Sequence, residues 1–194
     1  MRADGVRAQS VARTVTTIVD AARGVLSDPA PTAWSMEAVA LEAGVTRATV
    51  YNHFAAKTDL IEAVLDVVVA RDRMDRLVEV ADGLDPVAGL QRAVSQTCRF
   101  WHAERPLLRR LFAAAYADRA VDELLQRREG WRRDQLATML SRVGKRSGVD
   151  PRRYTDVLLA LTSFPAYDRL VGPHGRPRTA AAALNRVVAQ LLSS

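Results

Sequence analysis

The stretch Ser35-Met36-Glu37-Ala38-Val39-Ala40-Leu41-Glu42-Ala43-Gly44-Val45-Thr46-Arg47-Ala48-Thr49-Val50-Tyr51-Asn52-His53-Phe54 decides the fold. It reads as two short helices joined by a tight turn. Ser35 suits the N-cap of the first, which runs from about Met36 to Ala43. Gly44 can close that helix in the left-handed conformation. Thr46 can cap the second helix, which carries Val50 and Tyr51. A helix-turn-helix needs a small residue where the helices cross, and Ala40 is one. Four positions later the turn needs a residue at ease with positive φ, and Gly44 supplies it. Val50 faces the first helix, Val45 plugs the corner, and Met36 and Phe54 pin the pair to its flanks. A plain helical corner would satisfy the same spacing. It would not place Arg47, Thr49, Tyr51, Asn52 and His53 within seven residues, a set of donors for phosphates and base edges.

Working outward, almost every segment reads as helix, and no apolar–polar alternation bounded by turn signals is found. Val11, Val15, Ile18, Val19, Ala22, Val25 and Leu26 recur at helical spacing before the breaker Ser27-Asp28-Pro29-Ala30-Pro31. Asp59 opens a helix with Leu60, Ile61, Val64, Leu65 and Val68 on one face. A weak boundary at 81–86 is followed by helices predicted from Pro86 to about Ala103 and from Pro106 to about Ala117. The pattern then predicts helices from about Ala120 to Arg146, from Pro151 to near Val171, and from about Thr179 to Leu192. The expectation is an all-α chain of about nine helices: a disordered arm over 1–10, a three-helix unit carrying the helix-turn-helix over 11–70, and a helical remainder over 71–194.

Composition narrows the class without locating a site. With 48% hydrophobic and 26% charged residues in 194, the chain reads as globular. Its net charge of +6 suggests a nucleic-acid partner. The distribution does not point at the motif, because residues 1–60 hold six basic and six acidic side chains. The surplus lies in 105–153, with thirteen Arg or Lys against six Asp or Glu. One cysteine, Cys98, and an N-terminus without an apolar stretch fit a reducing cytoplasm. No run approaches the ~18 apolar residues of a membrane span; the best, Leu60 to Ala70, is interrupted by Glu62 and Asp66.

The segment 35–60 resembles the DNA-binding domain of the TetR family. Ala43-Gly44-Val45-Thr46, Val50-Tyr51-Asn52-His53-Phe54, and Lys57 followed by Asp59-Leu60 carry the likeness, which extends over about 11–70. The resemblance implies roles by matched position. Thr46 and Arg47 would lie at the start of the recognition helix, in the major groove, with Arg47 the candidate to grip guanine O6 and N7. Thr49 would touch a thymine methyl or a phosphate. Asn52 belongs to the same polar face, Tyr51 and His53 would hold the DNA backbone, Lys57 would donate to a phosphate, and Ser35 would offer its hydroxyl or nearby N–H groups. The loop 27–34 departs from the short Gly-containing connection of the family pattern.

In such a protein the C-terminal helices bind a small effector and hold a homodimer. Phe100, Trp101, Phe112, Tyr116, Trp131 and Met139 are the candidate ligand-binding residues. Leu161, Phe164, Leu184, Val187, Val188 and Leu191 are the candidate dimer contacts. Cys98 is either a thiol sensor or a small buried apolar residue. The resulting expectation is a ligand-responsive repressor on an inverted-repeat DNA operator, with no cofactor and no metal. The competing classes are a helical ligand carrier without DNA binding and an enzyme. His53, His102 and His174 form no metal pair at helical spacing, and no phosphate-binding Gly loop or nucleophile elbow is present.

Overall fold

A computed structural model describes residues 2–28, 34–81, 83–147 and 150–193, and among them there are helices and turns but no strand. Helix α1 spans Arg2–Ser27, α2 Met36–Glu42, α3 Arg47–His53 and α4 Lys57–Arg71. A 3-10 turn, η1, at Met74–Arg76 leads into α5, Leu77–Val80. Then come α6 Pro86–Ala103, α7 Arg105–Ala115, α8 Arg119–Ser147, α9 Pro151–Leu161, α10 Phe164–Val171 and α11 Pro177–Ser193.

The N-terminal helices close over a small core. In α1 the buried Ile18, Ala22 and Leu26 repeat every four residues, which places them on one stripe. They meet Met36, Val39 and Ala40 of α2, Val50 of α3, Phe54, and Leu60, Ile61, Val64, Leu65 and Val68 of α4. The larger half packs α6 against α11 and α8 against α9, with α7 bridging α1 and α8. Gly89 lets α6 lie close to α5, since a Cβ there would stand 3.0 Å from that of Ala81.

Three elements differ from the sequence expectation. The arm expected over 1–10 is helical from Arg2, continuous with α1. The helix expected from Pro151 to Val171 is two helices. Pro165 has no N–H to give to the carbonyl of Leu161, so the ladder breaks there. Ser163 caps the new start by accepting from the Ala166 N–H, and the Thr162 hydroxyl donates to the Leu158 carbonyl at 2.7 Å. The segment after α4 is also more ordered than a plain boundary. Arg73 takes a left-handed φ of 54°, and Gln96 Nε2 donates to the Asp72 carbonyl at 2.8 Å. That turn feeds the buried Met74, Leu77 and Ala81 back into the core. Eleven α-helices result among the described residues, where about nine were expected. Pro29-Ala30-Pro31 of the expected breaker lies outside the described residues.

A buried charge cluster is one of the contacts that join the two halves. Glu104, at the α6–α7 junction, is 1% exposed. Its carboxylate accepts from Arg23 of α1, Nη2 to Oε1 at 3.1 Å, and from Arg71 at the end of α4. Nearby, Arg110 of α7 donates to the Val25 carbonyl at 2.7 Å, and Arg128 of α8 pairs with Asp66 of α4 at 2.5 Å.

Removing both arginines leaves a buried carboxylate with no counter-charge, which costs about 3–5 kcal/mol. Arg23→Ala with Arg71→Ala is therefore expected to lower stability by that amount in urea unfolding. Adding Glu104→Gln should restore a large part of it. A triple variant no more stable than the double one would contradict this account of the junction.

Candidate nucleic-acid interface

Helix α3 is short, and its geometry is fixed at both ends. The Thr46 side chain accepts from the Thr49 N–H at 3.1 Å, and the two hydroxyls lie 2.8 Å apart. Ser35 caps α2 in the same way, accepting from the Ala38 N–H at 3.1 Å. Between them Gly44 sits at φ +64°, where a side chain would be strained. At the far end the Phe54 N–H donates to the Val50 carbonyl at 2.9 Å, and its ring is buried. Asp59 accepts from the Ala56 N–H at 2.9 Å and so starts α4.

With Val50 fully buried, α3 turns its opposite side to solvent. Thr46, Arg47, Ala48, Tyr51 and Asn52 are exposed, while Thr49 and His53 are half-buried at the flanks. Ala48, Tyr51 and Asn52 follow the three- and four-residue spacing of one helix face. Ala48 was absent from the sequence-based set, although its spacing from Tyr51 and Asn52 marks it. Its methyl group is the apolar member of the face, of the kind that meets a thymine methyl.

Arg47 is not a free cation. Its Nη1 lies 2.7 Å from Glu37 Oε1, and its guanidinium stands 5.3 Å from the centre of the Tyr51 ring. Contact with Tyr51, then the charge of Glu37, moves its already high pKa further up. Glu37 is the second residue missed from sequence, because its partner lies ten positions on, across the turn. Lys57 is half-buried with Nζ 5.3 Å from the Trp34 ring centre, so the departure at 27–34 supplies this lysine with an aromatic platform. Ser35 is half-buried, and its hydroxyl oxygen is engaged as a cap.

The remaining sequence candidates separate into different places. Phe100, Trp101, Phe112 and Trp131 line one cavity of about 650 Å³ between α4, α6, α7 and α8. Phe100 and Trp101 have ring centres 5.0 Å apart, and Phe112 stacks on Phe164 at 5.2 Å. Tyr116 is 96% exposed, so it lies in an open groove beside α7, α8 and α10 and not in this cavity. Met139 is buried in α8 beside a separate void of about 70 Å³. Of the dimer candidates, Phe164, Leu184 and Val188 face the protomer's own core. Leu161 and Leu191 are half-buried, and Val187 is exposed. Leu170 is exposed on α10, as is Val157 on α9, which went unnamed from sequence. Cys98 is buried, and burial pushes its thiol up to about 11, which leaves it protonated near neutral pH.

A short capped helix with a polar, solvent-facing side, held by a glycine turn against a second helix, defines the helix-turn-helix class of DNA-binding regulators. Residues 18–64 match the family of bacterial regulatory proteins, tetR family. The match gives the N-terminal part of the chain a DNA-binding domain similar to that of this family. The whole fold is shared with solved structures of low sequence identity. A TetR-like transcriptional regulator from Rhodococcus sp. RHA1 superposes with a TM-score of 0.69 at 22% identity, over 93% of this chain and 96% of that one. A TetR transcription regulator from Haloarcula marismortui gives 0.71 at 17%, over 94% and 97%. A protein from Saccharomonospora viridis solved in complex with choline gives 0.70 at 17%, over 92% and 96%. No curated protein matches the sequence. No helix among the described residues is long and apolar enough to cross a membrane.

Proposed function

We propose that this regulator is a cytoplasmic, ligand-responsive repressor that binds an inverted-repeat operator as a homodimer. The observation that carries the DNA half of the reading is the exposed face of α3, with Arg47, Ala48, Tyr51 and Asn52 turned away from the buried Val50. Arg47 exchanges Glu37 for a base edge, and Thr46 and Thr49 flank it. Tyr51, His53 and Lys57 hold phosphates, and Ser35 contributes from the start of α2. We divide the chain near residue 70, with the helix-turn-helix domain over 11–70 and the regulatory domain over 71–194.

The cavity supports the ligand half. At about 650 Å³ it has the size of a small-molecule site, and its walls are chiefly apolar and aromatic. One wall is α4, the helix that follows the DNA-binding corner, so a filled cavity bears directly on the position of α3. The dimer face is taken by α9, α10 and α11 through Leu161, Val187 and Leu191, joined by Val157 and Leu170. Exposed apolar side chains on adjacent helices suit an isologous contact. A two-fold dimer presents two recognition helices to successive major grooves.

Arg47→Ala should weaken operator binding by ~1–3 kcal/mol and relax specificity at one position in each half-site. Lys57→Ala should weaken binding to all sequences alike and lower the salt slope by about one. Equal loss on operator and random DNA for Arg47→Ala would remove it from base reading.

Charging the exposed apolar positions tests assembly without emptying the core. Val157→Asp with Val187→Asp should give folded monomers by light scattering at micromolar concentration, with weakened operator binding. A wild type that is itself monomeric, or a double variant that stays dimeric, would rule this face out.

A further inference from the structure

The cavity wall is apolar over Leu65, Val69, Leu108, Phe112 and Trp131, yet one charged side chain is set into it at depth. Arg132 is 12% exposed, and its guanidinium stands 5.3 Å from the centre of the Trp101 ring. Its Nη2 donates to Thr162 Oγ1 at 3.0 Å and to the Leu159 carbonyl at 3.5 Å. Among the described residues its one carboxylate partner is Glu129, reached by Nη1 through a single oxygen at 3.3 Å. A well-paired buried arginine grips a carboxylate with two prongs at about 2.7–2.9 Å. Here the contact is long and single-pronged, and no acceptor among the described residues meets the Nε–H. Burial lowers the pKa of Arg132, and the charge of Glu129 only partly opposes that.

Glu129 is poorly placed to be a permanent partner. Its side chain is 41% exposed, and it also lines the open groove beside Tyr116. It can turn into water there without losing hydration, which removes most of the cost of leaving Arg132. The other charges around the cavity are differently disposed. Arg128 holds Asp66 at 2.5 Å and Glu62 at 3.6 Å, Asp75 lies 4.0 Å from Arg76, and Arg127 is exposed. The deep end therefore has a desolvated cation with a replaceable counter-ion, while the acidic groups nearer the α4 side have cations of their own.

We infer that the cavity takes an apolar carboxylic acid, whose carboxylate replaces that of Glu129 on Arg132 and whose body lies against Leu108, Phe112 and Trp131. This rests on the ligand-responsive reading above and names the chemical class of the ligand. A cationic ligand fits poorly. At the deep end the Trp101 face is already covered by Arg132, and a second positive charge there would be repelled.

The test is isothermal titration of the full chain with 6-phenylhexanoate, 6-phenylhexanamide and 6-phenylhexylamine. These share one apolar body and differ in the head group. The acid should bind about tenfold or more tighter than the amide, as a charge-assisted bond replaces a neutral one, and the amine should bind weakest. Glu129→Gln should tighten the acid severalfold and leave the amide unchanged. Arg132→Gln should bring acid and amide level, and Arg132→Lys, which keeps the charge without the fork, should fall between. Should the Arg132 variants fail to fold, Glu129→Gln still decides: an unchanged or weakened acid overturns the proposal. An amide or amine matching the acid on the wild type, or choline binding where the acid does not, overturns the anion site and leaves the cavity a ligand site. No binding by any of these compounds overturns both.

Discussion

The carboxylate of Glu104 has no place in an apolar interior without a counter-charge, and its two cations come from α1 and from the end of α4. That constraint ties α1 and α4 to the α6–α7 corner. Glu104 marks the corner where α6 ends and α7 begins, while Arg23 and Arg71 lie on the two long helices that carry the DNA-binding corner. Drawing α1 or α4 away from the corner would strip a buried charge of its partner, at a cost of several kcal/mol. The bond from Arg110 to the Val25 carbonyl and the pair between Arg128 and Asp66 hold the same two helices further along. α4 is at once a wall of the cavity and the helix that follows α3. Filling the cavity therefore acts on a helix with little freedom to move alone. What moves must carry Arg71, and with it the grip on Glu104.

The DNA-facing side works under a different constraint. Residues 1–60 carry as many acidic as basic side chains, and the structure shows where one such balance is struck, between Arg47 and Glu37. An arginine already paired gains less from a bare phosphate than a free one does. Its exchange is favourable where a base edge offers two acceptors in the geometry of its fork. A neutral corner of this kind favours discrimination over general attraction to the polyanion. The large basic surplus over 105–153 is spent elsewhere, on pairs such as Arg105 and Arg109 with Asp168, which hold α7 to α10 and keep Asp168 below the usual carboxylate range despite its burial.

Much of this was legible in the sequence because short-range physics decided it. Ser35, Gly44, Thr46, Val50 and Phe54 set caps, turn and corner through neighbours a few residues away, and the structure places each in its expected part. Where long-range packing decides, the sequence was silent. Leu184 and Val188 have the spacing of an interface, but which stripe of α11 faces inward depends on α6, a partner about ninety residues distant. Tyr116 resembles the other aromatics in composition, yet it falls at the end of α7, where it points outside the cavity. Glu104 carries no local signal, since nothing near it in sequence shows that Arg23 and Arg71 will converge on it. Pro165 was the readable signal left unread: it divides what periodicity alone joins into one helix.

The central claim is that a two-fold pair of these chains reads DNA through α3. Selection of bound sequences from a random duplex library by the purified chain tests it most directly. The account predicts enrichment of an inverted repeat whose half-sites lie one helical turn apart, about 34–36 Å, or a multiple of that. Recovery of no common sequence, or of a single half-site without its inverted copy, would contradict it.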